Sequence, residues 1–255
     1  MTHPFFAGTR HPRVLAHRGL VPSDQVGPSL WENSAGAFAA AQAAGAEYIE
    51  TDCQVTADGD VVLFHDDTIE RLTGDPRPVS SLRTSDLAGL FAEHGGLLTV
   101  ADALDAFPES RFNIDVKTIA AAEPIGAVLA RHTHRVLVTS FSYRNRRAAL
   151  ASIEQAGAAM PPATSSGRRT ILALRTLSTV RLSPARLLRD IDAVQIPEHH
   201  AGIRVLTPGL LRAAHALGVE VHVWTVNEPE TMRRLVDAGV DGIVTDRADL
   251  ALKAV

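Results

Sequence analysis

Residues 45–65 read GAEYIETDCQVTADGDVVLFH, and this stretch decides how the rest of the chain is understood. Tyr48–Val55 has the composition of a strand, a tight turn falls at Asp58-Gly59, and an apolar run returns over residues 60–65. Side chains alternate along a strand, so Glu50 and Asp52 leave one face while Ile49, Thr51 and Cys53 leave the other. Two carboxylates side by side repel unless something cationic sits between them. The return strand ends on His65, whose imidazole titrates near neutrality. A carboxylate pair with a histidine close by is the raw material of a metal-dependent hydrolytic site.

Outward from this hairpin, the chain alternates apolar runs with alanine-rich helical segments. Upstream, residues 13–16 read as a buried strand opening at His17-Arg18-Gly19. A loop over residues 20–31 follows, with two prolines and a glycine. Asn33 or Ser34 can cap a helix over residues 35–44, which Gly45 stops. Downstream come a polar segment to Pro78 and short helices over residues 85–91 and 99–107. Strands are then expected at residues 111–117, Val136–Thr139, 156–160, Ala193–Ile196, 219–225 and 241–245. The helices between and after them fall at residues 120–132, 143–152, 169–177, 208–217, 229–238 and 248–254. About eight βα units predict an α/β chain closed into a parallel (β/α)8 TIM barrel, with a short insertion after the second strand. An open doubly wound sheet is the alternative; no GxGxxG follows the first strand to support it.

In a barrel of this kind, active sites lie at the carboxyl ends of the strands. The polar residues that end the apolar runs are His17, Glu50 and Asp52, His65, Asp115 and Lys117, Gln195, Trp224 and Asp246. They come from separate parts of the chain and would converge on one mouth.

At 255 residues and 27.2 kDa, with 45% hydrophobic and 21% charged residues, the chain has enough apolar surface for a substantial core. No linker divides it, so one domain over residues 1–255 is expected. A formal net charge of −4 gives no general attraction to nucleic acid or to anionic membranes, and an anionic substrate has to be held by local cations. Cys53 is the only cysteine, which excludes an intrachain disulfide and suits a reducing compartment. The N-terminal apolar stretch is too short for a signal peptide, and no run reaches the roughly 18 apolar residues of a membrane span. A cytoplasmic protein is expected.

Five motifs carry a family resemblance: AHRGL (16–20), WENSAGAFAAAQAAGAEYIETDCQVTADGDVVLFHDDTIERLTG (31–74), FNIDVK (112–117), VHVWTVN (221–227) and GVDGIVTD (239–246). In this order they resemble the glycerophosphodiester phosphodiesterase family. The resemblance implies a TIM barrel with one divalent cation that hydrolyses glycerophosphodiesters to glycerol 3-phosphate and an alcohol.

Carried over residue by residue, it makes Glu50, Asp52 and Asp115 metal ligands, and His17 and His65 a catalytic pair; analogy favours His17 as base and His65 as acid, an order the sequence itself leaves open. Asp115 stands where most of the family has glutamate, one methylene longer, so the cation has to sit nearer this strand or bind through water. Carboxylates without Cys or His suit Mg²⁺ or Ca²⁺ rather than Zn²⁺. Arg18 and Lys117 resemble the phosphate-holding cations, and Trp224 the tryptophan that packs on glycerol. Three carboxylates and a dication sum to −1, and Arg18 with Lys117 brings the site to +1, matched to a phosphodiester monoanion.

Glu32-Asn33-Ser34 matches a family motif in which Ser34 replaces threonine, and a helix cap explains it equally well. The loop over residues 20–31 is longer than the family pattern; it either narrows the substrate entrance or is a surface insertion. Two other activities fit the same barrel: a lysophospholipase D, for which no apolar insertion is evident, and a non-catalytic phospho-ligand binder, which would not need both histidines.

Overall fold

The computed structural model of the protein describes residues 2–21, 30–179 and 182–255. Most of the long loop singled out above, residues 22–29, lies outside the described residues. Eleven strands are described: β1 Arg13–His17, β2 Tyr48–Val55, β3 Val61–Leu63, β4 Arg111–Val116, β5 Val136–Thr139, β6 Ala163–Thr164, β7 Ala193–Ile196, β8 His199–His200, β9 Ile203–Arg204, β10 Glu220–Val223 and β11 Gly242–Thr245. Eight of them run parallel in the order β6-β5-β4-β2-β1-β11-β10-β7. A single parallel bridge, Ser165 to Ala193, joins the two ends of that path, so the sheet is a nearly closed barrel surrounded by helices. The expected barrel is therefore observed.

The insertion after the second strand is also present. β3 folds back antiparallel on β2, pairing Cys53 with Leu63 and Val55 with Val61. Three short helices, Glu70–Thr73, Thr84–Phe91 and Val100–Ala106, follow before β4 returns to the barrel. Thr99 caps the last of these by accepting the Asp102 amide at 3.0 Å while Asp102 accepts from Thr99, the reciprocal arrangement of a capping box.

Two expectations need correction. Residues 156–160 form no strand. They are the exit from the helix Tyr143–Gln155, with Gly157 at φ +82° and its amide bonded to the Glu154 carbonyl at 3.0 Å. The sixth strand lies beyond Pro161-Pro162, which lack amide donors for a ladder, and is only two residues long. The helix expected over residues 120–132 is broken in two, Ile119–Ala122 and Ile125–Leu129, with Pro124 at the break.

The barrel floor is sealed by the N-terminus. A 3₁₀ turn, Pro4–Phe6, inserts Phe5 and Phe6 beneath the strands, where they pack with Leu15, Tyr48, Leu137 and Val244. The Tyr48 hydroxyl donates to the Phe5 carbonyl at 2.9 Å, and Arg13 pairs with both oxygens of Glu220 at 2.7 Å. Burying an aromatic ring of this size stabilises by about 1.5–3 kcal/mol. With the floor filled, polar side chains inside the barrel can meet solvent only at the other end. Among the described residues no helix is long and apolar enough to cross a membrane.

Candidate active site

Strand register decides which side chains share the open mouth. β1 lies beside β2 with His17 opposite Glu50, and β2 lies beside β4 with Glu50 opposite Asn113 and Asp52 opposite Asp115. Cross-strand partners point to the same face. Together with His65, Arg18, Lys117, Gln195 and Trp224 they line one pocket of about 180 Å³ at the carboxyl ends of the strands. The expected strand-end residues are gathered there except Asp246, which is not in the lining but bonds His17. On the opposite face of β2, the Thr51 hydroxyl donates to Asn33 at 2.7 Å and Cys53 is buried, as alternation requires.

The HRG motif is a bend that aims two functional groups. Arg18 adopts φ +57° and Gly19 φ +91°. A Cβ on Gly19 would meet the backbone of Ala37 at 2.8 Å, so no side chain fits there. The Arg18 amide donates to the Glu50 carbonyl at 2.7 Å, and Arg18 in turn accepts the Asn33 amide at 2.9 Å. This fastens the bend to β2 and to the loop that enters the first helix, Ala35–Ala43, which Ser34 caps. The Arg18 guanidinium reaches Glu32 at 2.8 Å and makes an ionic contact to Asp52 at 3.1 Å.

Both histidines are anchored through Nδ1. His17 Nδ1 meets Asp246 Oδ1 at 2.6 Å, and Asn227 donates to the other oxygen of Asp246 at 2.7 Å. His65 Nδ1 meets Asp66 Oδ1 at 2.6 Å, and Arg71 donates to Asp66 Oδ2 at 2.6 Å. Arg71 also bonds Glu32, closing a chain from His65 to Arg18. Burial alone would lower the His17 pKa, but the bond to Asp246 and the charge of Glu50 outweigh it and the pKa is raised. Asp66 is buried enough to resist ionisation, yet the bonds from His65 and Arg71 hold its pKa below the usual carboxylate range.

Sequence alone gives these anchoring carboxylates no role. Asp66 was visible as the neighbour of His65, and Asp246 as the end of GVDGIVTD, but only the fold brings Asp246 to a histidine 229 positions away.

The three acids on β2 and β4 are differently satisfied. Burial, then repulsion from Asp52, pushes the Glu50 carboxyl up to about 8 against the pull of His17 and Lys117. Burial works against ionised Asp52 too, but Lys117 and Arg18 prevail and lower its pKa. Burial raises that of Asp115. Lys117 Nζ sits 2.6 Å from Asp52 Oδ1 and 2.6 Å from Asp115 Oδ2, bridging the two strands.

Does this donor set suit a divalent cation? Glu50 Oε2 and Asp115 Oδ1 are buried acceptors with no hydrogen-bond partner among the described residues. Unpartnered buried carboxylate oxygens are costly, and a hard dication with oxygen preference is the ligand that removes the cost. Among the described residues no three His, Cys, Asp or Glu side chains form a ready-made shell, and the Lys117 ammonium occupies the bridge between Asp52 and Asp115. The chemistry fits; the acids are gathered around an internal cation.

Trp224 forms the apolar wall, edge-on to Phe141 with ring centroids 5.7 Å apart. Gln195 faces the pocket from below and contacts His222 Nδ1 at 3.4 Å.

Comparison with known proteins agrees with this geometry. The glycerophosphoryl diester phosphodiesterase family matches residues 17–250 of the chain. "Probable glycerophosphodiester phosphodiesterase 2" of Mycobacterium tuberculosis is 41% identical over 242 residues, covering 93% of this chain and 88% of the relative. A glycerophosphodiester phosphodiesterase of Caldanaerobacter subterraneus is 26% identical, covering 95% and 97%. Among solved structures, an Oleispira antarctica phosphodiesterase in complex with the product sn-glycerol-3-phosphate shares the fold with a TM-score of 0.71 at 20% identity, covering 96% of each chain.

Proposed function

The chain belongs to the glycerophosphoryl diester phosphodiesterase family, and from that premise we propose that its barrel mouth hydrolyses glycerophosphodiesters to glycerol 3-phosphate and an alcohol, with His17 and His65 as the acid–base pair. The observation that supports this most is the matched anchoring of both rings by carboxylates at 2.6 Å. A carboxylate accepting from Nδ1–H leaves the lone pair of the neutral ring on Nε2, the atom free to exchange a proton with substrate.

Cleavage of a phosphodiester takes one proton from the attacking oxygen and returns one to the leaving alkoxide. His17 is the better base, because Asp246 bonds its ring and shares its other oxygen only with the neutral Asn227 amide, so its charge stabilises the imidazolium that forms. His65 is the acid, its one carboxylate partner shared with Arg71. Arg18 and Lys117 hold the non-bridging oxygens, and Lys117 turns from Asp52 and Asp115 to do so. Trp224 packs against the carbon skeleton of glycerol. Glu50, Asp52 and Asp115 would hold one Mg²⁺ or Ca²⁺, which when bound polarises a phosphoryl oxygen and neutralises developing charge. The same residues serve attack by the glycerol 2-hydroxyl, through a cyclic phosphate, and direct attack by water.

The test is a panel of glycerophosphodiesters assayed for glycerol 3-phosphate with each cation, and lysophosphatidylcholine beside glycerophosphocholine. Chelator should abolish turnover and Mg²⁺ or Ca²⁺ restore it; full turnover in chelator sinks the metal. His17→Ala should lower turnover by about 10²–10⁴-fold, and unchanged turnover removes it from the mechanism.

A further inference from the structure

The average charge of the chain conceals a basic, apolar-tipped rim on one half of the mouth. Eight large apolar side chains are exposed among the described residues, and five of them are Ile119, Phe141, Tyr143, Leu172 and Ile203. These five follow β4, β5, β6 and β7, four neighbouring strands, on the side where the site opens. Tyr143, Leu172 and Ile203 are 59%, 65% and 53% exposed.

Arginines alternate with them. Arg144 adjoins Tyr143, Arg168 and Arg169 open the helix that carries Leu172, and Arg204 adjoins Ile203. The Arg168 guanidinium lies 4.8 Å from the Phe141 ring centroid. Arg175 donates to the Arg204 carbonyl at 3.1 Å, tying the β8–β9 hairpin to that helix. Residues 140–189 contain nine arginines and one carboxylate, Glu154, in a chain whose formal net charge is −4. Arg146 is buried and Arg147 and Arg189 line a separate cleft with His3 and Asp192, so the rim itself carries Arg144, Arg168 and Arg169 of the nine.

Two features show that acids within the chain leave these charges largely unneutralised, although Arg204 Nε donates to the Leu206 carbonyl at 2.9 Å. Arg13, Arg18, Arg71, Arg77 and Arg234 each pair with a carboxylate, but among the described residues Arg144, Arg168, Arg169 and Arg204 make no salt bridge. The helices Tyr143–Gln155 and Arg168–Thr179 also carry arginines and no acid in the first turn. Cations there oppose the helix dipole, a penalty that an anionic counter-surface removes.

We propose that this half of the rim seats on an anionic phospholipid surface, holding the catalytic mouth at the level of the headgroups. A soluble polyanion would engage the arginines but leave Tyr143, Leu172 and Ile203 in water. A neutral apolar partner would bury those and strand the arginines. Phosphate headgroups above acyl chains satisfy both.

The test is sedimentation of the full chain with vesicles of phosphatidylcholine alone and of phosphatidylcholine mixed with phosphatidylglycerol. It reads binding without turnover, so it is independent of the hydrolytic reading. Binding should require the anionic lipid and weaken with salt. Each arginine near such a surface contributes about fivefold, so R144Q/R169Q should lower partitioning by about 25-fold, and Leu172→Ser should lower it further. Both variants should hydrolyse soluble glycerophosphocholine like the parent, which checks folding. No vesicle binding, equal binding to neutral vesicles, or undiminished binding by R144Q/R169Q overturns the proposal. So does tighter binding to soluble heparin than to the mixed vesicles, which would assign the face to a polyanion.

Discussion

Replacing Asp246 by asparagine should be more damaging than deleting its side chain, for a reason written in the hydrogen bonds around it. Asn227 Oδ1 accepts from the Asp246 amide at 2.9 Å and from the Thr245 hydroxyl at 3.1 Å, so the Asn227 side chain cannot flip. Its Nδ2 therefore always donates toward residue 246, at 2.7 Å in the parent. An asparagine there has to offer its carbonyl to Asn227 and its own amide to His17 Nδ1. That makes Nδ1 an acceptor and moves the proton of the neutral ring to Nε2, where the lone pair is needed. Restoring the other tautomer would set two donors against each other, at a cost of about 1–3 kcal/mol. Losing the carboxylate beside the forming imidazolium costs a further ~1.5–3 kcal/mol.

The sum corresponds to a fall in kcat of about 10²–10⁴-fold for Asp246→Asn. Asp246→Ala loses only the second contribution, about 10–10²-fold, because the ring is free to choose its tautomer. The assay is steady-state release of glycerol 3-phosphate from glycerophosphocholine at saturating divalent cation, with KM expected to change little. An Asp246→Asn enzyme within threefold of the parent, or faster than Asp246→Ala, refutes the tautomer argument.

Glu50→Gln should weaken cation binding in calorimetry yet stabilise the cation-free protein at alkaline pH. The parent carboxyl is pushed up to about 8 from 4.5, so its contribution is intact below pH 4.5 and lost as pH rises through about 8. That loss is about 3 kcal/mol near neutrality; equal pH slopes of Tm for parent and variant would dispose of this account. Lys117→Met removes the ammonium between Asp52 and Asp115 and should cost the cation-free protein about 3–5 kcal/mol, with added Mg²⁺ raising Tm more than in the parent; no difference in that rise contradicts the bridging role. At the floor, Arg13 and burial compete for Glu220, the ion pair wins, and the pKa falls to about 2 from 4.5. The pair's contribution is complete above pH 4.5 and lost as pH falls toward 2, about 3 kcal/mol in all. Glu220→Gln should therefore flatten the acid limb of the Tm profile, and an unchanged limb excludes it.

The barrel and the lining of its mouth were legible because both rest on local periodicity. Alternation on Tyr48–Val55 is enough to aim Glu50 and Asp52 together, and the apolar runs either side of alanine-rich segments mark parallel strands. What was lost depends on contacts or on averages. The sixth strand has two residues, too few for any period, and an alanine-rich helix exit before it imitates a strand. Asp246 reads only as one more acid at a strand end, and its pairing with His17 shows once the closing strand is laid beside the first, with Ala16 opposite Thr245. The basic rim vanished into a net charge of −4, because the acids that offset it lie elsewhere in the chain.

The placement of Lys117 explains how such an acidic interior is tolerated at all. Adjacent strands in register set Asp52 against Asp115, with Glu50 one residue pair further down, and a closed barrel keeps bulk water from screening them. A lysine on the same face as Asp115, two positions on, is the nearest cation the strand can supply. It satisfies one oxygen of each aspartate and leaves Glu50 Oε2 and Asp115 Oδ1 without partners. The fold is thus stable enough to form with its own cation, yet two acceptors short of a satisfied site. That residual demand is what a divalent ion would meet, and its arrival would release Lys117 from both carboxylates toward an incoming phosphodiester. On the proposed reading one side chain would serve folding before the ligand binds and recognition afterwards, and a neutral residue in its place would leave both carboxylates uncompensated.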